Sequence, residues 1–153
     1  MEIKRLVSIL LVLVLMTGCT KEYVCSKEEK SNKFDYSIKM NLVFDGSKIK
    51  NIKSDIKYNL TDKGMESIDN LKENLSKKAM EYSLYDEINF DYKITEKLIE
   101  VTEEVSFENK NKTDREKLFN HKDLSIVYFD SKYKLDDVTK SLKDNNFKCN
   151  INE

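Results

Sequence analysis

Three kinds of side chain in this 153-residue chain could do covalent or acid–base chemistry: thiols, paired carboxylates and a single imidazole. The thiols have the most telling spacing. Cys19 and Cys25 stand close together in "GCTKEYVC", and Cys149 lies almost at the far end. An odd number of cysteines in an exported chain normally leaves one unpaired. If a modification consumes Cys19, Cys25 and Cys149 become an even set, able to pair outside the cytoplasm where disulfides persist. Their bond would close a loop of about 124 residues, worth about 4 to 5 kcal/mol in the chain-entropy model, and would hold the first and last strands side by side. The alternative is two free thiols. Catalytic thiols usually sit close in sequence, as in Cys-x-x-Cys, at a helix start that lowers their pKa; this pair has neither feature.

The modification of Cys19 is suggested by what precedes it. Lys4 and Arg5 form a basic start, and "LVSILLVLVLM" (Leu6 to Met16) is an apolar run of signal-peptide length, too short to span a bilayer as a helix. "MTGC" then resembles the lipobox of bacterial lipoproteins, in which the thiol is diacylglycerated and the chain is cut before it, here between Gly18 and Cys19. The usual Leu three places before the cysteine is Met16, with Leu15 one place further back. Two acyl chains, at about 0.8 kcal/mol per buried methylene, would anchor the chain without spanning the membrane.

The other candidates point to structure. Glu103 with Glu104 and Asp136 with Asp137 are adjacent acids. Neighbours on a strand face opposite ways, and the second pair sits at an expected helix start, where carboxylates favour the positive dipole end. Glu103 alone falls on an apolar strand face, where burial would raise its pKa; a strand end extending past its covering helix is the simpler account. His121, the only histidine, has no ligand-spaced cluster around it and fits the surface end of a short helix, so no metal and no cofactor is expected. No nucleophile elbow is present. Lys and Arg together number 27 against 28 Asp and Glu, with the signs interspersed, so nothing argues for nucleic acid.

Any site must be positioned by a small set of elements. In "KFDYSIKMNLVFD", Phe34, Tyr36, Ile38, Met40, Leu42 and Phe44 share one parity, which predicts a long strand with one dry face. Asp45-Gly46 predicts a tight hairpin turn. The returning "KIKNIKSDIKYNL" keeps its apolar residues on the dry face only with one extra residue near Lys50 or Asn51, a predicted β-bulge that pairs Ile52 with Met40 and Tyr58 with Phe34. From Asp62 to about Leu84, Met65, Ile68, Leu71 or Lys72, Leu75, Ala79 and Tyr82 recur at helical spacing, predicting one helix across the dry face. A second hairpin should place Ile94 against Ile99, Tyr92 against Val101, and Glu103 against Phe90. Thr113 with Glu116 suggests a capping box, "LSIVYFD" a short strand, "KLDDVTKSLKDNNF" a helix with Leu135, Val138 and Leu142 inward, and "FKCNI" a last strand. The tyrosines and phenylalanines, eight and seven in number, fit a core better than a ligand platform.

Taken in order, "MTGC", the early "VC", the hairpin "LVFDGSKI", the helix from Asp62 and the closing "SLKDNNFKC" give a chain that resembles the small lipoproteins of the YehR-like family and their low-GC Gram-positive relatives. The resemblance implies an α+β domain with an antiparallel sheet and brings no catalytic residues with it. Where relatives tend to have Gly before the last aromatic, this chain has Asn146, which can also end a helix in the left-handed conformation. The expected organisation is a signal peptide over residues 1–18, a lipidated N-terminus and short tether over 19–24, and one extracytoplasmic domain over 25–153. Its sheet should have about five to six strands packed by one long helix and one or two short ones. No proline, and no glycine beyond Gly46 and Gly64 in the mature chain, argues against a linker and second domain. The expected function is a non-enzymatic binding or envelope-associated lipoprotein on the extracytoplasmic face of a Gram-positive cell membrane. Its partner would be the membrane itself plus a membrane-proximal protein or small ligand. A small envelope hydrolase or thiol-redox enzyme is the rival.

Overall fold

The computed structural model describes residues 20–121, 123–129 and 132–152, with the side chains of the last two left aside. The expected signal peptide and Cys19 lie outside the described residues. Six strands form one antiparallel sheet: β1 (Thr20–Lys30), β2 (Phe34–Asp45), β3 (Lys48–Leu60), β4 (Ile88–Thr95), β5 (Leu98–Ser106) and β6 (Lys148–Asn152), in the spatial order β4-β5-β3-β2-β1-β6. The helices are α1 (Asp62–Met65), α2 (Ile68–Tyr82), α3 (Lys112–Leu118), a 3-10 turn (Ser125–Phe129) and α4 (Leu135–Asp144). The fold is α+β, as expected.

The period-two pattern of β2 becomes burial directly: Tyr36, Ile38, Met40, Leu42 and Phe44 are buried and Lys39 and Asp45 are exposed. The bulge falls at Lys50, because Phe44 pairs with Ile49 while Val43 pairs with Asn51. The turn sits one residue later than expected. Asp45 pairs with Lys48, and Gly46, at φ 58°, is the one residue of the turn with positive φ. Ile52 therefore meets Leu42 and Tyr58 meets Tyr36, each two places from the expected partner. A shift of two keeps every side chain on its own face, so the core is unaffected. The second hairpin has the expected pairs, Phe90 with Glu103 included.

Three local expectations need correction. The single helix from Asp62 is two: α1 ends at Met65 and α2 begins at Ile68. α1 is held by the β1–β2 turn, since the amide and hydroxyl of Thr61 both donate to the carbonyl of Lys33, at 2.9 and 3.0 Å. α2 instead runs beside the edge strand β4, and the break lets the chain do both. The "LSIVYFD" segment is no strand. Ile126 and Phe129, three apart, enter the core while Val127 is 42% exposed, which is the eclipsed spacing of a 3-10 turn. α3 is capped by the side chain of Asn111, which accepts the amide of Asp114, so Thr113 lies inside the helix.

The C-terminal elements match their pattern. Val138 and Leu142 of α4 are buried, Leu135 is half-buried, and Asn146 ends the helix at φ 65°. β6 then pairs with β1, placing Cys25 directly opposite Cys149 with the sulfurs bonded at 2.05 Å. β1 is longer than expected. Residues 20–24, assigned to a tether, pair with β2 from Asp45 to Asn41, because β2 is long enough to hold them in the ladder.

Gly64 sits where α1 meets the β1–β2 turn, and a Cβ there would overlap the carbonyl oxygen of Lys33. Gly64→Ala should therefore cost about 1 to 3 kcal/mol, read as a lower denaturant midpoint; an unchanged midpoint would show that the turn yields freely. Replacing both Cys25 and Cys149 with Ala should cost about 2 to 5 kcal/mol in the same assay, and reductant should shift the wild type but not the double variant.

Candidate functional site

The helices leave part of the apolar sheet face uncovered. α2 turns only Tyr82 fully inward; Ile68, Leu71 and Leu75 are half-buried, and Met80 is 71% exposed. Between α2, α1 and the end of the sheet lies a groove of about 560 Å³, within the usual size range of ligand pockets. Phe34, Tyr58, Leu60 and Ile99 form its strand side, and Leu71 and Leu75 its helix side. The rings of Phe34 and Tyr58 meet edge to face with centroids 5.5 Å apart. At the α1 end Gly64 packs directly against the backbone of Lys33. At the rim stand Lys33, Lys77, Lys78 and Glu81.

A smaller cavity of about 140 Å³ adjoins it and shares Tyr58, Leu75 and Lys78 in its walls. Here the structure places Glu103, 4% exposed beneath the 3-10 turn. Its Oε2 accepts the amide of Ser125 at 2.8 Å, and the hydroxyls of Ser125 and Ser54 lie 2.6 Å apart. Burial pushes the Glu103 carboxyl up, partly opposed by the Ser125 hydrogen bonds and the ammonium of Lys78. The strand-end account of Glu103 is therefore overturned: the acid lies mid-strand, because "LSIVYFD" folds over it and supplies a donor. Nearby, the Tyr36 and Tyr128 hydroxyls are 3.3 Å apart, and burial above all keeps Tyr36 protonated; Tyr58 is pushed up to about 12 for the same reason. Tyr82 donates to Asp123 at 2.5 Å, and Lys78 lies 3.4 Å from the same carboxylate. Burial alone would raise Asp123, but the Tyr82 hydroxyl and the Lys78 charge outweigh it and hold the carboxyl low.

The remaining sequence candidates are not brought together. Glu104, on the opposite sheet face, accepts from the side chain of Asn51 at 3.0 Å. Asp136 and Asp137 lie in the first turn of α4, away from the groove. His121 is half-buried, not a plain surface residue, with its ring 4.8 Å from that of Tyr85 and 5.6 Å from that of Tyr82. Among the described residues no group of His, Cys, Asp and Glu is placed to hold a metal ion, and no helix is long and apolar enough to cross a membrane. The groove itself was missed by sequence reasoning, because its lining residues carry the same pattern as a core.

No protein-family model matches the sequence, and no curated protein matches it. A structural likeness does exist. The fold matches an NMR structure of a protein from Streptococcus pneumoniae TIGR4 with a TM-score of 0.53 and 12% identity, over 86% of this chain and 84% of that one. At that identity the likeness concerns the fold alone.

The raised Glu103 carboxyl has a definite sign in stability. Below its ordinary value of 4.5 the group is protonated whether folded or unfolded and costs nothing. As pH rises from there through the higher folded value, the folded chain retains a proton that the unfolded chain has lost, so stability falls. Glu103→Gln can still accept the Ser125 amide and removes this loss. The variant should gain on the wild type as pH rises through and above 4.5 and show no such gain well below it, measured by denaturant melts at several pH values. Carboxylates held low by lysines, such as Glu73 and Glu100, occur in both proteins and cancel in the difference. A pH-independent difference would refute the assignment.

Proposed function

We propose that the chain is a membrane-anchored extracytoplasmic lipoprotein of the YehR-like kind, attached through Cys19 in a Gram-positive envelope, and that it acts by binding. The observation that carries the binding reading is the groove between α2 and the sheet, apolar inside and charged at its rim. Stability alone would favour closing such a surface, whereas a ligand site must keep it open. The groove offers an apolar body of small-molecule size a place between Phe34 and Tyr58 on one side and Leu71 and Leu75 on the other. The bonded pair of Cys25 and Cys149 accords with a location outside the cytoplasm.

The hydrolase or redox alternative draws less support. Cys25 is fully buried and bonded, so it offers no accessible thiolate. Ser54 and Ser125 are buried against each other with Glu103 held by a backbone amide, an arrangement that fills hydrogen bonds and leaves neither hydroxyl beside the groove opening.

Two measurements test the two halves of this reading. In cells fed an alkyne fatty acid, the wild-type chain should take up the label and Cys19→Ala should not; equal labelling would remove the anchor. With the full chain in phosphatidylcholine vesicles, a neutral diazirine-bearing hexadecanol should photolabel peptides containing Phe34 and Leu71, and Leu71→Trp, which fills the groove, should suppress that labelling. Labelling spread evenly over the surface would remove the groove as the binding site.

A further inference from the structure

The geometry points to a free, single-chain anionic amphiphile, of the fatty-acid type, as the occupant of the groove; this rests on the binding reading above and specifies its ligand class. Three observations lead there. The interior offers apolar and aromatic surface, which suits a hydrocarbon chain. Of the charged side chains lining the groove, three are lysines (Lys33, Lys77 and Lys78) and one is an acid, Glu81, so the rim favours an anion. Lys77 and Lys78 are engaged by Glu73 and Asp123, at 2.6 and 3.4 Å, whereas the Lys33 ammonium has no ion pair among the described residues. Its backbone carbonyl is occupied by Thr61, which fixes the start of the side chain beside Phe34 and leaves the ammonium available for a head group.

The inner end argues the same way. The adjoining cavity presents Glu103, Asp123 and the hydroxyls of Tyr36 and Tyr128, and burial favours the neutral form of Glu103. Asp123, held ionised there, is already engaged by Lys78 and the Tyr82 hydroxyl, so the inner end offers a cationic head no free partner, whereas an anionic head stays at the rim with its chain inward.

The position of the mouth distinguishes a free amphiphile from a bilayer lipid. Lys33 and Phe34 follow the far end of β1, whose other end is Thr20. At about 3.3 Å per residue this puts the mouth roughly 33 Å along the sheet from the residue after Cys19. A bilayer holding the N-terminus lies at the opposite end of the sheet from the groove, so a ligand reaches it detached from the membrane.

The test uses the full chain in phosphatidylcholine vesicles with two photoreactive probes of equal length, diazirine-bearing hexadecanoic acid and diazirine-bearing hexadecylamine, and maps adducts by peptide. The acid should label peptides containing Phe34 and Leu71 about fivefold more than the amine, the ratio expected of one exposed ion pair. Lys33→Glu, which leaves the structural carbonyl in place, should abolish or reverse that preference, and Glu103→Gln should leave it unchanged. If the amine labels the groove as well as the acid does, or labels it in a manner that Glu103→Gln removes, the anionic assignment is overturned while the groove stands. If neither these probes nor the neutral alcohol favours the groove, the binding reading has failed as well.

Discussion

The structure depends on one constraint: a six-stranded sheet has a wider apolar face than its helices can cover. Strands repeat at about 4.8 Å, so the face is roughly 24 Å across, whereas a helix with its side chains covers about 10 to 12 Å. α2 lies beside β4, and α4 lies against β6. The strip between them, over β3 and the start of β2, is lidded by the short α1 at one end and by "LSIVYF" further along. What neither covers is the groove. Its walls are thus a direct result of strand number and helix length, and its α1 end is set by Gly64 fitting against the β1–β2 turn.

The same shortage of cover explains the polar island beneath the 3-10 turn. A short irregular segment laid on an apolar face brings backbone amides that no ladder satisfies, and a buried unpaired amide costs about as much as a lost hydrogen bond. Glu103 supplies the acceptor for Ser125, and Ser54, its neighbour across β3 and β5, supplies a hydroxyl to the same residue. A carboxylate is an expensive way to do this, and its displaced titration is the sign of that expense. The aromatic hydroxyls of Tyr36, Tyr82 and Tyr128 surround the island and give the layer more polar character than its apolar composition suggests.

Much of the sheet was legible in the sequence because parity is a local property. The alternation in β2, the extra residue at Lys50 and the Phe90–Glu103 pair all follow from counting by twos. The turn at Gly46 was misplaced by one residue because a hairpin shifted by two places has the same inside and outside, so the hydrophobic pattern could not choose. The break after Met65 was hidden because the stripe from Met65 through Leu75 to Tyr82 continues across it, and the contact that holds the start of α1, Thr61 with the carbonyl of Lys33, is distant in sequence. "LSIVYFD" misled because its β-branched and aromatic residues suit a strand when considered alone, and the decisive partner, Glu103, lies more than twenty positions earlier. The groove was illegible for a related reason: sequence identifies residues that prefer to leave water, and cannot say which of them lack a cover.

The disulfide also has a mechanical meaning. β1 enters the sheet at Thr20, and β6 leaves it at the same end, with Glu22 opposite Asn152. Drawing β1 and β6 apart at that shared end therefore means peeling their ladder a few hydrogen bonds at a time, the weak direction for a sheet. That peeling can proceed only as far as Cys25, where the covalent link to Cys149 passes the tension to the adjacent strand. Everything beyond that rung, including the groove at the other end of the sheet, is insulated from such a parting of the two strands.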